Sequence, residues 1–401
     1  MPRIKMALLG NCQVQTYRAL LPAMVDAPLD LVVLDVSEAA SRDPTVQRAF
    51  LADAATCDII VAQRTNFDLI NDEQLRATLP GRLLTIGNFY FRGLQPDSCY
   101  VGDFEHRFDR PSSVHSVVIL DAFHRGFDIQ QAMARFTQET FAEMGLFDAW
   151  QSSLDEMAAR EADGAVDVPC LALMRDACRQ APAFLTMNHP SIALLAAYLE
   201  QVLEAAEIPY KAVNPAFLAD PLAMHDRWPV QDVVAVYFDL PYRTAQVWTI
   251  NALGRRFLDL EERVAAFYGA YAEADPATLM VHSPRDLRTA LLERPAYAYL
   301  AEGGRPPKGP NGEPSVPPPG RVAAPARPLA PLVRSVVAEE LVPIRQALDE
   351  VRAYMHKVHS YLEVADPKIE RLSAALTEAE AERARKAAEP GPRGRLFGRA
   401  R

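Results

Sequence analysis

The chain has 401 residues, of which 49% are hydrophobic and 23% are charged, and its formal net charge is −10. This length exceeds that of a usual compact domain and the composition is that of a soluble globular protein, which predicts more than one structural unit and excludes a largely disordered chain. The acidic balance argues against nucleic acid as the main partner, because phosphate binding needs concentrated Lys and Arg.

Short β-rich runs alternate with amphipathic helical segments in the first half of the chain. The runs that read as strands are residues 4–9, 29–36, 58–62 and 83–86. The run Leu31-Val32-Val33-Leu34 is continuously apolar, which is typical of parallel strands buried on both faces. The order of elements therefore predicts an α/β fold, with a mainly parallel sheet and helices on both faces in three layers.

Helical periodicity dominates the next part of the chain, from about residue 115 to residue 160. One more strand is predicted at 183–187, and it leads into Asn188 and His189. Ser191 or Asn188 is placed to cap a helix at 192–204, because short polar side chains accept hydrogen bonds from the free N–H groups of a first turn. We expect one domain over residues 1–300, with an α/β core at about 1–215 and a mostly helical extension at 216–300.

The composition changes abruptly after this domain. Residues 301–331 are rich in Pro and Gly and read as an extended linker. At 332–388, hydrophobic residues alternate spacings of four and three, which predicts a coiled coil, and β-branched residues at a with Leu at d favour a parallel dimer. The alternative is a helix that packs on its own chain's globular domain. Residues 389–401 are basic and read as a disordered tail.

Nothing in the sequence predicts a membrane-spanning or disulfide-bonded protein. No apolar stretch approaches the roughly 20 residues that span a bilayer, and the N-terminal apolar run ends without a cleavage site. The five cysteines show neither a CxxC pair nor zinc-like spacing, which predicts reduced thiols and no metal site. We therefore expect a cytoplasmic protein, for which contact of the basic tail with the inner-membrane surface is the one membrane role left open.

The segment Gly10-Asn11-Cys12-Gln13 lies where the first predicted strand ends and the first helix begins. Open α/β sheets bind ligands at such a position. The N–H groups and partial positive charge of a helix N-terminus lower the pKa of a thiol and can hold an oxyanion, and Gly10 permits the tight turn. Cys12 is therefore a candidate nucleophile; the alternative is a Cys that packs as a small hydrophobic residue.

Two later segments add polar groups at the same edge of the predicted sheet. Asn88 follows the fourth strand and is a candidate donor to the oxyanion, and His189 follows the last strand and is a candidate base for Cys12. His115 is a rival base, because Ser116 can cap a helix that starts there, and the positive end of that helix would keep the imidazole neutral.

Arg64 and Arg92 both follow predicted strand ends. They are candidate cations for the phosphates of a cofactor, since Arg binds phosphate with two parallel hydrogen bonds. The alternative for each is an ordinary surface arginine.

These segments match the order of the SGNH hydrolase plan, with Cys in place of its Ser. The sequence lacks the Asp that this plan has two or three residues before the histidine, so the third catalytic member is unassigned. More specifically, the chain resembles the WcbI family of polysaccharide-biosynthesis acetyltransferases over roughly residues 1–290. The resemblance rests on Gly-Asn-Cys-Gln at 10–13, the stretch at 88–97, His115-Ser116 and Asn188-His189-Pro190.

The WcbI resemblance implies an α/β domain that binds coenzyme A or acetyl-CoA and transfers an acyl group to a sugar hydroxyl in capsule or exopolysaccharide synthesis. The acceptor would be a saccharide or nucleotide sugar, and the cofactor contacts would be Gly10, Asn11, Gln13, Arg64, Arg92 and Ser116. Two other functions fit the sequence: an SGNH-like esterase, and a non-catalytic scaffold that binds a glycan or nucleotide sugar and is organised by its coiled coil.

Overall fold

The computed structural model describes residues 2–102, 106–162, 166–250 and 256–308. The predicted coiled coil and basic tail lie outside the described residues, as does the predicted linker beyond residue 308. The domain boundaries therefore stay predictions.

The elements up to residue 161 are β1 (Ile4–Gly10), α1 (Gln13–Met24), β2 (Leu29–Asp35), α2 (Pro44–Ala54), β3 (Ile59–Gln63), α3 (Asp72–Thr78), β4 (Arg82–Ile86), β5 (Ser98–Val101), β6 (His115–Ser116), α4 (Val117–His124), α5 (Ile129–Met133), α6 (Gln138–Glu143) and α7 (Ala149–Glu161). The later elements are α8 (Leu171–Gln180), β7 (Phe184–Thr186), β8 (His189–Pro190), α9 (Ile192–Ala205), α10 (Asp232–Tyr237), β9 (Trp248–Ile250), β10 (Arg256–Leu258), α11 (Leu260–Ala272), β11 (Val281–Ser283), α12 (Arg285–Leu292) and α13 (Tyr299–Glu302).

Four parallel strands form the central sheet in the order β2-β1-β3-β4. Successive side chains of a strand point to opposite faces. Met6 and Leu8 of β1 accordingly join one core, together with residues of α1 and α9. Ala7 and Leu9 join a second core, with residues of α2 and α3. The sheet is thus covered by helices on both faces, which confirms the predicted three-layer α/β fold.

The strand order has one reversal that matters for the site. β2 lies on one side of β1 and β3 on the other. In open α/β sheets, ligands bind in the crevice outside the carboxyl ends of the strands where the order reverses. Here that crevice lies at the carboxyl ends of β1 and β3.

The helical stretch expected at 115–160 is broken into α4, α5, α6 and α7, and it is preceded by the short strand β6. Gly126 follows the end of α4 with φ +71°, and Gly145 follows the end of α6 with φ +69°. Glycine adopts this left-handed conformation without the strain that a Cβ adds, so it ends helices efficiently. Asp128 caps the start of α5, and Thr137 caps the start of α6.

The strand expected at 183–187 is present as β7, but it does not join the four parallel strands. It pairs antiparallel with β8 in a two-stranded sheet, so the chain reverses direction at Met187 and Asn188. Ser191 caps the following helix, α9. His189 therefore lies in the returning arm of a hairpin, not beyond the carboxyl end of a parallel strand.

The extension after residue 216 contains α10 to α13 and also the short strands β9, β10 and β11. β11 pairs antiparallel with β5, with Ser283 opposite Tyr100. This pairing ties the extension to the part of the chain that follows the parallel sheet. Among the described residues, no helix combines the length and apolar character that crossing a bilayer requires.

Candidate functional site

The turn between β1 and α1 is tightly enclosed. β1 ends at Gly10, and Cys12 occupies the N-cap position of α1 with its side chain half-buried. A Cβ added at Gly10 would lie 2.4 Å from Gln63 Oε1 and 2.8 Å from Val14 Cγ1. Any larger residue would displace these atoms, so only glycine fits at position 10. The turn that it permits places Cys12 at the carboxyl end of β1, where the strand order reverses.

Three amide side chains fix the conformation of this turn. Gln63, at the end of β3, accepts a hydrogen bond at Oε1 from the Asn11 backbone N–H (2.9 Å) and donates from Nε2 to Gln13 Oε1 (3.2 Å). The Gln13 backbone N–H donates to Asn11 Oδ1 (3.0 Å). Gln13 and Gln63 are buried, where satisfied hydrogen bonds specify one geometry because an unmade one is costly.

Asn88 completes this network from the end of β4. Its Oδ1 accepts from Asn11 Nδ2 (2.9 Å) and from Gln13 Nε2 (3.1 Å). An amide has its acceptor on one side and its two donors on the other. With the oxygen held by the network, the NH2 group of Asn88 is the part left to face a ligand.

Gln13 also connects the turn to more distant parts of the chain. Its Nε2 lies 2.8 Å from the Phe89 carbonyl oxygen and 3.2 Å from that of Asn188, and its Oε1 accepts from the Phe89 N–H at 3.3 Å. Asn188 directly precedes His189. One buried side chain therefore brings the Cys12 turn, the end of β4 and the β7–β8 hairpin together.

The Cys12 thiol is protonated at neutral pH. Burial raises its pKa, the Asp35 carboxylate raises it further, and the N–H groups of Cys12 and Gln13 lower it by less, so that the pKa reaches about 12. Asp35 ends β2 beside Gly10 and is held by Ser37. The lowering expected from the helix N-terminus is present, but burial and the carboxylate outweigh it.

His189 lines a cleft of about 190 Å³ together with Ser112, Thr186, His225 and Asp226. Its ring centroid lies 5.1 Å from that of His225. Burial, and secondarily His225, lower the pKa of His189 to about 4, so the ring is neutral at pH 7. Its Nδ1 has no hydrogen-bond partner among the described residues, which leaves a nitrogen for a proton or a ligand.

His115 and Ser116 are fully buried. The Nδ1 of His115 lies 2.9 Å from the Tyr271 hydroxyl and its Nε2 lies 2.7 Å from the Phe108 carbonyl oxygen, and burial lowers the pKa of His115 to about 3. Ser116 caps α4, as expected, and donates to Asp97 (2.6 Å). Both ring nitrogens of His115 and the Ser116 hydroxyl are thus hydrogen-bonded within the fold, so neither side chain is available to a ligand in this conformation.

A cavity of about 870 Å³ opens beside Asn88, and we call it the Asn88 cavity. Its lining includes Arg64, Thr65, Asn66, Asn71, Asn88 and Arg160. Arg64 is exposed and forms an ion pair of 2.9 Å with Asp72, which also lines the cavity.

A second cavity, of about 740 Å³, lies on the other side of residues 86–92, and we call it the Tyr90 cavity. Its lining includes Tyr90, Arg92, Tyr100, Ser152, Glu156 and Asp286. Arg160 lines both cavities. Arg64 and Arg92, the two predicted phosphate-binding cations, therefore lie in different cavities.

Three residues of the site were not among the predicted ones. Asp35 and Gln63 end β2 and β3, so the strand-end argument that selected Asn88 would also have found them. Asp286 lies 194 positions from its partner Arg92, and no local pattern points to it. The described residues contain no group of three or more His, Cys, Asp or Glu side chains that could hold a metal ion.

Comparisons with known proteins place these features in context. A family described as "Polysaccharide biosynthesis enzyme WcbI" matches residues 5–211. A solved structure of WcbI, described as a novel polysaccharide biosynthesis enzyme in its native form without a disulfide bond between CoA and a cysteine, aligns with a TM-score of 0.50 and 19% identity. The alignment covers 73% of this chain and 99% of that chain; at this identity it shows a shared fold. No curated protein matches the chain in sequence.

Proposed function

Because the chain belongs to the WcbI family of polysaccharide biosynthesis enzymes, we propose that it transfers an acyl group, in the simplest case acetyl, from coenzyme A to a sugar hydroxyl. The observation that carries the proposal is the placement of Cys12 at the reversal of the sheet, near an Asn88 amide whose oxygen accepts two hydrogen bonds from the turn. The NH2 group of Asn88 has no acceptor among the described residues and would donate to the ligand. Ligands of open α/β sheets bind at this reversal.

In this proposal the Asn88 cavity holds the coenzyme. Its volume of about 870 Å³ lies in the range of small-molecule and cofactor sites. Arg64 and Arg160 supply cations at its wall, beside the carboxylates of Asp72, Glu73 and Glu161. Arg64 would exchange Asp72 for a phosphate. The solved WcbI structure is described in terms of CoA and a cysteine, which supports coenzyme A as the ligand.

The covalent route has two balanced steps. The Cys12 sulfur attacks the thioester carbonyl and gives its proton to His189; the bond from the acyl carbon to the coenzyme sulfur then breaks, and that sulfur takes the proton. A sugar hydroxyl next attacks the Cys12 thioester and gives its proton to His189, which returns it to the departing Cys12 sulfur. The Asn88 NH2 group and the Cys12 N–H donate to the oxyanion in both steps.

A direct route uses the same residues without an acyl-enzyme. His189 takes the proton from the sugar hydroxyl, which attacks the coenzyme thioester while Cys12 only lines the site. The Cys12 pKa of about 12 favours this route, because a thiol is a weak nucleophile until it is deprotonated.

Intact-mass spectrometry of the full chain after incubation with acetyl-CoA tests the proposal. We expect release of free coenzyme A with a sugar acceptor present, and loss of that release in His189→Gln. An acetyl adduct that maps to Cys12 and is absent in Cys12→Ser identifies the covalent route, and turnover without an adduct identifies the direct one.

Acetyl-CoA consumption that is equally fast without an acceptor indicates an esterase, and failure of calorimetry to detect coenzyme A binding would refute the proposal.

A further inference from the structure

The Tyr90 cavity is built by the junction between the α/β core and the extension. Tyr90, Arg92 and Tyr100 come from the core, whereas Asp286 comes from α12. The pairing of β11 with β5 sets Ser283 opposite Tyr100 and so brings α12 to the cavity. The 283–294 part of its wall lies beyond the residues that the WcbI family matches, which end at 211.

An ion pair between a buried arginine and a partly exposed carboxylate lines the Tyr90 cavity. Arg92 is only 1% exposed, and its Nη1 lies 3.3 Å from Asp286 Oδ1. Asp286 Oδ2 accepts from the Ser152 hydroxyl at 2.9 Å. The Nε–H of Arg92 has no acceptor among the described residues. A buried donor without a partner is costly, so this group is set to receive an acceptor from a molecule in the cavity.

The charges of the cavity wall cancel. Its lining carries four arginines, namely Arg92, Arg160, Arg285 and Arg294, and four carboxylates, namely Asp148, Glu156, Asp286 and Glu293. Donors and acceptors in equal supply match a neutral polyhydroxyl compound, in which each hydroxyl both donates and accepts. Tyr90 and Tyr100 also line the cavity, and the Arg107 guanidinium covers one face of the Tyr100 ring, 3.5 Å from its centroid.

The Tyr90 cavity begins beside a segment that is bonded to the Cys12 turn: Gln13 is hydrogen-bonded to the backbone of Phe89, which directly precedes Tyr90. Asn88 lines one cavity and Tyr90 the other, two positions along the chain. Residues 86–92 therefore contribute to both cavities, and a substrate in each would lie next to the segment that Gln13 ties to the Cys12 turn.

We propose that the Tyr90 cavity is the acceptor site, that it binds a neutral saccharide, and that Arg92, Ser152 and Asp286 select it. The role as acceptor site rests on the proposed function, whereas saccharide binding itself does not. Asp286 accepts from sugar hydroxyls, Arg92 donates to them, and the tyrosine rings contact the C–H faces.

Binding of the full chain to an array of bacterial polysaccharide fragments, without coenzyme A, tests the saccharide site. We expect Asp286→Asn to weaken glycan binding about tenfold or more, as removal of a hydrogen bond to a charged group does, and Ser152→Ala to weaken it less. Both variants should keep the wild-type affinity for coenzyme A in calorimetry. The matched control is Asp72→Asn, an acid-to-amide change in the Asn88 cavity, which should leave glycan binding unchanged; melting temperatures confirm that each variant is folded.

Three results would overturn the acceptor site: no glycan bound by the wild-type chain, wild-type glycan affinity in both Asp286→Asn and Ser152→Ala, or loss of coenzyme A binding in these two variants. Asp286-dependent glycan binding by a chain that does not bind coenzyme A would refute the proposed acyl transfer, and with it the acceptor role, while it supports the saccharide site. The two proposals can therefore fail separately.

Discussion

Asn11 Nδ2 donates a hydrogen bond of 2.9 Å to Asn88 Oδ1, across the carboxyl ends of β1 and β4. This bond and the one from Gln13 give the Asn88 amide a single orientation. The residue that precedes Cys12 and the residue that follows it thus both aim the group that we propose as the oxyanion donor.

The variant Asn88→Asp removes this hydrogen-bond donor while it keeps the acceptor that Asn11 and Gln13 bond to. A carboxylate still accepts from Asn11 and Gln13 but has no NH2 group, so we expect acyl transfer to fall about 10²- to 10³-fold, as on loss of one oxyanion donor. Steady-state release of coenzyme A measures the rate, and the melting temperature should change little.

The control for this variant is Asn71→Asp, which adds the same charge to the same cavity. Asn71 caps α3 by accepting from the Gln74 N–H at 2.9 Å, and Asp caps equally well. A similar loss of rate in both variants would show that charge, and not the missing donor, is responsible.

Asp35 is expected to restrain the reactivity of Cys12. Its carboxylate is the second cause of the raised thiol pKa, after burial, so Asp35→Asn should lower that pKa while leaving it above its ordinary value. More thiolate is then present at a given pH, and we expect iodoacetamide to alkylate Cys12 severalfold faster at pH 8.

Peptide mapping against time measures the alkylation of Cys12 by itself. Asp30→Asn, at the opposite end of β2, is the control and should leave the rate unchanged. An alkylation rate in Asp35→Asn no higher than that of the wild type would contradict the electrostatic argument.

His115 is expected to act on stability and not on catalysis. Burial holds its pKa at about 3, below the usual 6.5, so the unfolded chain takes up a proton first as the pH falls. The contribution of neutral His115 to the free energy of unfolding is therefore fully present above pH 6.5 and is lost progressively as the pH falls towards 3. Urea unfolding between pH 7.5 and pH 4 should show a smaller loss of stability in His115→Gln than in the wild type.

The same variant discriminates between the two candidate bases. A folded His115→Gln should retain acyl transfer, whereas His189→Gln should lose it. Of these two histidines, His189 lines a cleft and has a ring nitrogen without a partner among the described residues. The reverse result would make His115 the base and would require its pocket to open.

Gly10→Ala is expected to destabilise the fold by about 1–3 kcal/mol, as overpacking of a buried site does. The new Cβ would lie 2.4 Å from Gln63 Oε1, and Gln63 cannot move away without breaking its bond to the Asn11 N–H. Chemical denaturation measures the change.

Gly269→Ala provides the contrast. Gly269 lies within α11, and an added Cβ there would meet no atom within 4 Å. Ala favours a helix over Gly by about 0.5–1 kcal/mol, so this variant should gain stability. If both variants lost stability, the loss in Gly10→Ala could not be attributed to crowding of the Cys12 turn.

The parallel sheet was predictable because its strands are short, apolar and separated by amphipathic helices. The predicted bounds of the four strands agree with the structure to within a residue or so at each end. The meeting of Asn11 and Asn88 follows from the same logic, since parallel strands bring their carboxyl ends to one edge.

Other features depend on contacts between distant residues, which local patterns do not contain. The sequence does not show that β7 turns back on β8, or that His115 is enclosed by Phe108 and Tyr271. The pairing of Arg92 with Asp286 requires β11 to lie beside β5. The coiled coil has the clearest periodicity in the sequence, yet it lies outside the described residues and stays a prediction.

The network that holds the Cys12 turn consists of neutral amides, from Asn11, Gln13, Gln63 and Asn88. Amides do not titrate, and their hydrogen bonds are not weakened by ionic screening in the way that charge pairs are. Added salt should therefore leave the shape of the turn intact, while it weakens the attraction of a polyanionic coenzyme to Arg64 and Arg160. A fall in activity with ionic strength would then report weaker capture of the coenzyme, with the turnover rate at saturation preserved.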